Sequence, residues 1–323
     1  MVTFTQIPEH YTPLGGEAVY AFENDTAQTV DIRIIRATDD SLLGAKRFAS
    51  VTGAAFDAAP CLRRAVRFAP AVGGTGVYNA ARRQVMATVE AFAEATATTA
   101  TAPTRIFLPC RTPVQAPAML TTMPVSRLIA PGECDELTLL FEEASTVTVT
   151  AQTGNDLTAQ SYRVATAGFY LFRLDTRDFP EAETLTVDAG ACGITVYTLV
   201  AAPRGAVRLA WRSSEGSVEH YTFPIVRTTT VSTTKTRAYG PDGYLAAAAE
   251  QERRQQLVSA YEPQAVLEAL SELPASPDVW IADKDRYTPV DVLTEKIPLR
   301  RHGTMCCLEM EIRPNRKTRL SWN

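Results

Sequence analysis

Apolar and polar residues alternate along most of this chain in short runs bounded by turn residues, the period-two signature of half-buried strands. Ala18–Phe22 reads as a short strand, Glu23-Asn24-Asp25 as a turn, and Val30–Arg36 (VDIRIIR) as an alternating strand; Arg47-Phe48-Ala49 and Val66-Arg67-Phe68 continue the theme. Gly73-Gly74-Thr75-Gly76 is a loop without the Gly-Lys-Ser/Thr ending that would hold a phosphate. Arg82–Ala100 is two-sided. Its alanines favour helix, but Val85, Ala87, Val89 and Ala91 alternate with Gln84, Met86, Thr88 and Glu90. The pattern favours a strand followed by a loop, with helix as the competing assignment, and Ile106-Phe107-Leu108 closes a first module over residues 1–109.

Four prolines (109, 113, 117 and 124) follow. Proline removes ladder donors, so this stretch is an inter-module connection or an edge segment. Residues 110–203 then repeat the β pattern. Leu137–Phe141, Ser145–Gln152 (STVTVTAQ), Gly168–Leu174, Glu183–Val187 and Gly193–Val200 read as strands, with a turn at Gly154-Asn155-Asp156. Turns every ~8–12 residues suggest β-sandwich modules of immunoglobulin or fibronectin type. The Cys…Trp…Cys spacing of an antibody domain is absent.

The third region, residues 204–323, opens on AVRLAWRSSEGSVEHY, residues 206–221. Val207, Leu209 and Trp211 fall on one strand face and Arg208 and Arg212 on the other, Gly216 supplies a turn, and Val218, His220 and Thr222 alternate with Glu219, Tyr221 and Phe223. The return strand is expected to continue through Pro224 into the Thr-rich run Val226–Ala238, giving a strand long enough to need a partner for its edge. Residues 244–261 leave helix and strand both open, since five alanines and several glutamines favour helix while Leu257, Ser259 and Tyr261 alternate. Glu262–Leu273 is the firmest helix, with Val266, Leu267, Leu270 and Leu273 in one stripe and Pro274 and Pro277 to stop it. Asp278–Ala282, Pro289–Leu293 and Thr304–Ile312 complete the strands.

With 323 residues, two or three domains are expected, and 46% hydrophobic with 21% charged residues describes a folded chain. A formal charge of −4 is too small to point to nucleic acid or a membrane surface. The N-terminus lacks a basic region followed by an apolar core, so no signal peptide is expected, and no apolar window reaches the ~18 residues of a membrane span. Six scattered cysteines fit reduced thiols in a cytosolic assembly environment.

Candidate chemistry is sparse. His10, His220 and His302 fall in different modules, and a nucleophile–His–acid site needs its members to converge. Cys306 and Cys307 point to opposite faces of a strand, which disfavours a metal site; Cys306 joins Leu308, Met310 and Ile312 on the apolar face. The acidic pairs Glu142-Glu143, Asp283 with Asp285, and Glu309 with Glu311 read as solvated faces. No cofactor or metal is expected. From Lys296 onward seven basic residues, including Arg313 and Arg316, face only Glu309 and Glu311, a bias better suited to docking on an acidic protein surface than to nucleic acid.

The run RLAWRSSEGSVEHYTF (Arg208–Phe223), with the Thr-rich strand, the helix QAVLEALSEL, SPDVWIA and PVDVL after it, resembles structural proteins of bacteriophage tails and tail-like particles, of the distal-tail or baseplate type. The resemblance covers about residues 204–323. It implies a C-terminal β-barrel or split sandwich carrying a long hairpin and one helix, no active site, a virion location after assembly in the host cytoplasm, a ring-like, hexameric homo-oligomer closed through a heterologous interface between its copies, and adjacent tail or baseplate proteins as further partners. Trp211, Tyr221, Phe223, Thr229, Val231, Trp280, Arg313 and Arg316 are the residues assigned to assembly. The alternatives are a β-sandwich adhesin or receptor-binding protein and, third, a hydrolase with β accessory modules.

Overall fold

The computed structural model describes the backbone of residues 1–298, 300–302, 305–315 and 318–320, and the side chains of all of these except 245–247, 300–302 and 318–320. Arg316 lies outside the described residues. The fold is mainly β.

The first 108 residues hold β1 (Val2–Gln6), β2 (Tyr11–Pro13), β3 (Val19–Arg36), β4 (Leu42–Asp57), α1 (Ala59–Arg63), β5 (Gly76–Asn79), β6 (Val85–Ala93), β7 (Thr98–Thr101) and β8 (Arg105–Leu108). β3 pairs along one edge with β4 and along the other with β1 and then β6. Register shifts around Gln28 mark a bulge, which bends a strand, and both halves of β3 supply one core: Tyr20 and Phe22 before the bulge, Val30, Ile32 and Ile34 after it. β6 is the strand over residues 85–93, with every second residue buried. The short helix α1, not anticipated from the sequence, begins where Asp57 accepts the Ala59 N–H at 2.9 Å.

The second unit is a sandwich of β9 (Ala118–Leu120), β10 (Ser126–Ile129), β11 (Cys134–Phe141), β12 (Ser145–Thr153), β13 (Asp156–Val164), β14 (Gly168–Asp175), β15 (Thr184–Asp188) and β16 (Ile194–Leu199). One sheet runs β10-β16-β15-β12-β13 and the other β5-β14-β11-β9, with Leu137, Leu139, Phe172 and Leu174 meeting Val147, Val149, Leu185 and Val187 between them. The edge strand β5 is drawn from the chain before residue 109, so sheet membership crosses that line. The proline-rich stretch is both connector and edge, since it contains β9. All eight residues of β11 are buried. Strands buried on both faces lose the alternating pattern, and here the second face is covered by Leu108, Leu120 and Ala80 against Leu140.

The third unit contains β17 (Val207–Arg212), β18 (Val218–Phe223), β19 (Ile225–Gly240), β20 (Gly243–Val258), α2 (Gln264–Leu270), β21 (Val279–Asp283), β22 (Arg286–Val292), β23 (Arg300–His302), β24 (Met305–Cys307), β25 (Glu309–Pro314) and β26 (Thr318–Leu320). Its eight-stranded sheet runs β18-β17-β21-β22-β25-β20-β19, with β26 beside β20. Helix α2 presents the expected stripe of Val266, Leu267 and Leu270 to Leu209, Trp211, Phe223, Met310 and Ile312, together with Leu273 and with Cys306 and Leu308 from the last strands.

Two expectations change here. The return strand does not run through Pro224: β18 ends at Phe223 and pairs with β17, whereas β19 starts at Ile225 and pairs with β20. Proline cannot donate to a ladder, and the chain changes partner there. The open segment 244–261 is strand β20 up to Val258, because cross-strand pairing along β19 outweighs the helix propensity of its alanines. The Gly216 turn takes φ +81, and its Cα faces Pro109 so closely that a Cβ would sit 2.9 Å from the proline ring. The turn is fixed to the connector, with Arg111 N–H donating to Ser214 O at 2.9 Å.

Candidate functional site

Charged side chains are rarely fully buried unless paired, yet the seam between the second and third units is built from them. The start of β11, Cys134-Asp135-Glu136, runs through this seam. Arg208, on β17, donates from Nε and Nη2 to the carbonyl oxygen of Cys134 at 3.1 and 2.8 Å, and from Nη1 to Glu133 at 2.9 Å. Arg127 donates from Nη1 to Asp135 at 2.9 Å and lies 3.3 Å from Glu219 of β18. Arg173, from β14, reaches Asp285 in the β21–β22 turn at 2.8 Å, and Arg177 joins the same carboxylate at 3.0 Å. Hydrogen bonds from Arg177 hold the Asp285 carboxyl below its usual range despite some burial. Asp285 is thus a solvent-exposed acid, as its spacing with Asp283 suggests, that also serves as an ion-pair partner across the seam. A similar buried pair, Arg83 with Glu136, ties the first unit to β11.

A shorter polar series threads the middle of the seam. His220 Nδ1 lies 3.0 Å from Asp135 Oδ1 without hydrogen-bond alignment, and His220 Nε2 is 3.2 Å from the Tyr287 hydroxyl. Tyr287 in turn lies 3.5 Å from the Cys134 sulfur. Burial raises the Asp135 pKa by itself, but Arg127 and His220 more than offset this and hold the carboxyl well below the usual carboxylate range. Burial pushes both the Tyr287 hydroxyl and the Cys134 thiol up, so neither is an activated nucleophile. The arrangement is a clamp between units.

Beside the clamp the seam opens into a cleft of about 520 Å³. Arg127, Asp135 and His220 form its charged floor, Leu128, Val200 and Pro203 one apolar wall, and Tyr221, Pro224, Ala260, Glu262 and Val266 the other. The Tyr221 hydroxyl donates to Glu262 at 2.8 Å and accepts the Ala260 N–H at 3.1 Å. Burial raises the Glu262 pKa, with the Tyr221 hydrogen bond opposing it, and the carboxylate has no cationic partner among the described residues. Leu128 and Val200 are 63% and 49% exposed at the mouth. Among the described residues no cluster of His, Cys, Asp or Glu is placed to hold a metal ion, and no helix is long and apolar enough to cross a membrane. All six cysteines are free.

The residues assigned to assembly separate into two groups. Trp211 and Phe223 are fully buried in the chain's own core, Trp280 packs on the opposite face of the sheet beside Ala210 and Val218, and Tyr221 is half-buried in the cleft wall. Arg313 is half-buried, 2.8 Å from Asp291 and 3.6 Å from Glu252. Thr229 and Val231 stand exposed on the long ribbon β19–β20. From Arg227 to Tyr239 every residue of β19 is exposed, and its outer edge has no partner strand among the described residues. At the ribbon tip Tyr239 and Tyr244 are 78% and 76% exposed and meet edge-on at 5.1 Å.

Sequence reasoning missed the seam. Arg208 falls on the strand face opposite Val207, Leu209 and Trp211, as its spacing predicts, and is 6% exposed because that face of β17 also lies on the second unit. The available signal was charge at the inward phase of apolar strands: Asp135-Glu136 ahead of LTLLF, and Arg173 inside GFYLFRL.

No family model matches the chain, and no curated protein matches it. Among solved structures, the chain is similar to one described as Dpr2 Ig1–Ig2 in complex with DIP-Theta Ig1–Ig3, at 8% identity over 97% of this chain and 89% of that one, with a TM-score of 0.22. A structure from work on host cell surface retention of a 1.5-MDa bacterial ice-binding adhesin aligns at 10% identity over 79% and 92%, with a TM-score of 0.19. DIP-gamma Ig1 and Ig2 align at 13% identity over 62% and 97%, with a TM-score of 0.18. Likeness at these scores carries no argument about fold or function, and the mainly β architecture rests on the sheets themselves.

Proposed function

We propose that the protein is a non-enzymatic structural component of a tail-like particle, of the kind its third region resembles, and that it assembles with copies of itself through the β19–β20 ribbon. One observation carries this: thirteen consecutive residues of β19, Arg227 to Tyr239, are exposed and carry a strand edge that is unpaired among the described residues. A long uncovered edge is an aggregation hazard for a monomer and a ready interface for an assembly. The charged clamp supports the same function, since it holds the units that carry the ribbon in one orientation. A ring, neighbouring tail or baseplate proteins and a virion location belong to this proposal.

A second function, a β-sandwich adhesin or receptor-binding protein, is favoured by the cleft, whose volume lies within the usual range for ligand pockets. The experiment that separates them is the mass of the protein in solution, for the full chain and for a variant with residues 229–252 replaced by a two-residue turn. Assembly predicts a defined oligomer for the full chain and a folded monomer for the variant. A monomeric full chain at all concentrations, or an oligomer indifferent to the ribbon, overturns it.

A further inference from the structure

We infer that the aromatic tip of the ribbon seats in the cleft of a second copy of this chain, so that assembly proceeds by a tip-to-socket contact. The contact rests on the self-assembly proposed above and specifies which surfaces meet.

Three observations point to this pairing. The tip is a small apolar knob: Tyr239 and Tyr244 stack edge-on and are each more than three-quarters exposed. Exposed aromatic pairs at the end of a projecting element are unusual for a surface that stays in water. The cleft is the complementary concavity. Its mouth carries Leu128 and Val200, both exposed, and its volume of about 520 Å³ falls in the range that encloses a ligand of two aromatic rings.

Charge agrees as well. Lys235 and Arg237 lie just behind the tip, exposed and without ion-pair partners among the described residues. The cleft offers Glu262, which has no cationic partner among the described residues, whereas Asp135 and Glu219 are already paired with Arg127. A cationic stalk and an unpaired carboxylate in the socket steer association and fix its register.

Geometry excludes the chain's own cleft as the socket. The ribbon is rooted beside the cleft, where Pro224 and Ala260 form part of its wall. At about 3.3 Å per residue, Ile225 to Tyr239 spans roughly 45 Å. Each copy therefore presents a tip and a socket at opposite ends of a long two-stranded arm. A contact between two different patches is heterologous: it closes into a ring or continues as a filament.

The test uses two variants of the full chain, each checked for an unchanged thermal midpoint. Tyr239→Ser with Tyr244→Ser removes the knob, and Ala202→Trp, at an exposed position lining the cleft, fills the socket. Assembly is followed by mass photometry and sedimentation. Each variant alone is expected to lose assembly by at least about 30-fold in concentration, the loss that follows from removing an interface hot spot. An equimolar mixture of the two is expected to give a dimer and nothing larger, because one intact tip and one intact socket remain. If the wild type assembles and either variant assembles equally well, or if the mixture stays monomeric, the tip-to-socket contact is wrong while self-assembly stands. If the wild type is monomeric throughout, self-assembly itself fails.

Discussion

Arg208 places two hydrogen bonds on the carbonyl oxygen of Cys134, joining the first strand of the third unit to the central strand of the second. The same guanidinium reaches Glu133, and Thr222 donates to that carboxylate at 2.8 Å. Removing one member of such a buried set strands the others. Arg208→Met is expected to cost about 3 kcal/mol, the lower end of the range for breaking a buried pair because Glu133 is partly exposed. Arg208→Lys, which keeps the charge but not the fork, should lose less. Urea unfolding of both checks the order; equal losses would show that geometry contributes nothing.

Asp135 and Arg127 make a prediction with a sign. The folded carboxyl titrates well below its unfolded value, so its contribution to stability is full above about pH 4 and is lost as pH falls through the folded pKa. Between pH 5 and 8 this group leaves wild-type stability flat. In Arg127→Met, burial acts on Asp135 without its main cation and the shift reverses. The variant should then gain stability relative to wild type as pH is lowered from 7 towards 4. Parallel unfolding curves against pH would count against the pairing.

Glu262 behaves oppositely, since burial raises its pKa. A carboxyl raised on folding destabilises the native state at pH values above its folded pKa. Glu262→Gln should therefore raise the thermal midpoint at pH 7, and the difference should vanish on acidification through the carboxylate range. No gain at neutral pH would mean that the hydrogen bond from Tyr221 outweighs desolvation.

Trp211 is fully buried between the sheet and α2, and its indole N–H has no partner. Trp211→Ala should cost about 3–5 kcal/mol. Trp211→Phe keeps much of the packing and removes an unsatisfied donor, so it should cost far less. Denaturant midpoints decide this, and a folded Trp211→Ala of near-wild-type stability would show that the central hairpin is peripheral to the core.

Much of the fold is legible in the chain because strand periodicity is local. Val85–Ala93 alternates strictly and is a strand, and Val266, Leu267, Leu270 and Leu273 share one face of the helical segment. The run STVTVTAQ forms β12 with Val147 and Val149 inward. Residues 244–261 stay ambiguous because alanine suits a helix by itself and becomes strand only when β19 supplies a ladder.

The candidate site is a different matter. Val207, Leu209 and Trp211 determine by their spacing that β17 has an apolar face, but only the packing of the second unit decides that the face bearing Arg208 is also covered. The sequence by itself determines most of the strands and the helix α2, since these follow from residues near one another in the chain, whereas the break at Pro224 follows from the change of partner strand there. Tertiary structure alone decides that Arg127, Asp135, Glu219 and His220 converge on one seam, that a cleft opens beside them, and that Tyr239 and Tyr244 stand clear at the end of a ribbon. Those relations depend on which surfaces are excluded from water, and that is settled only when distant parts of the chain pack together.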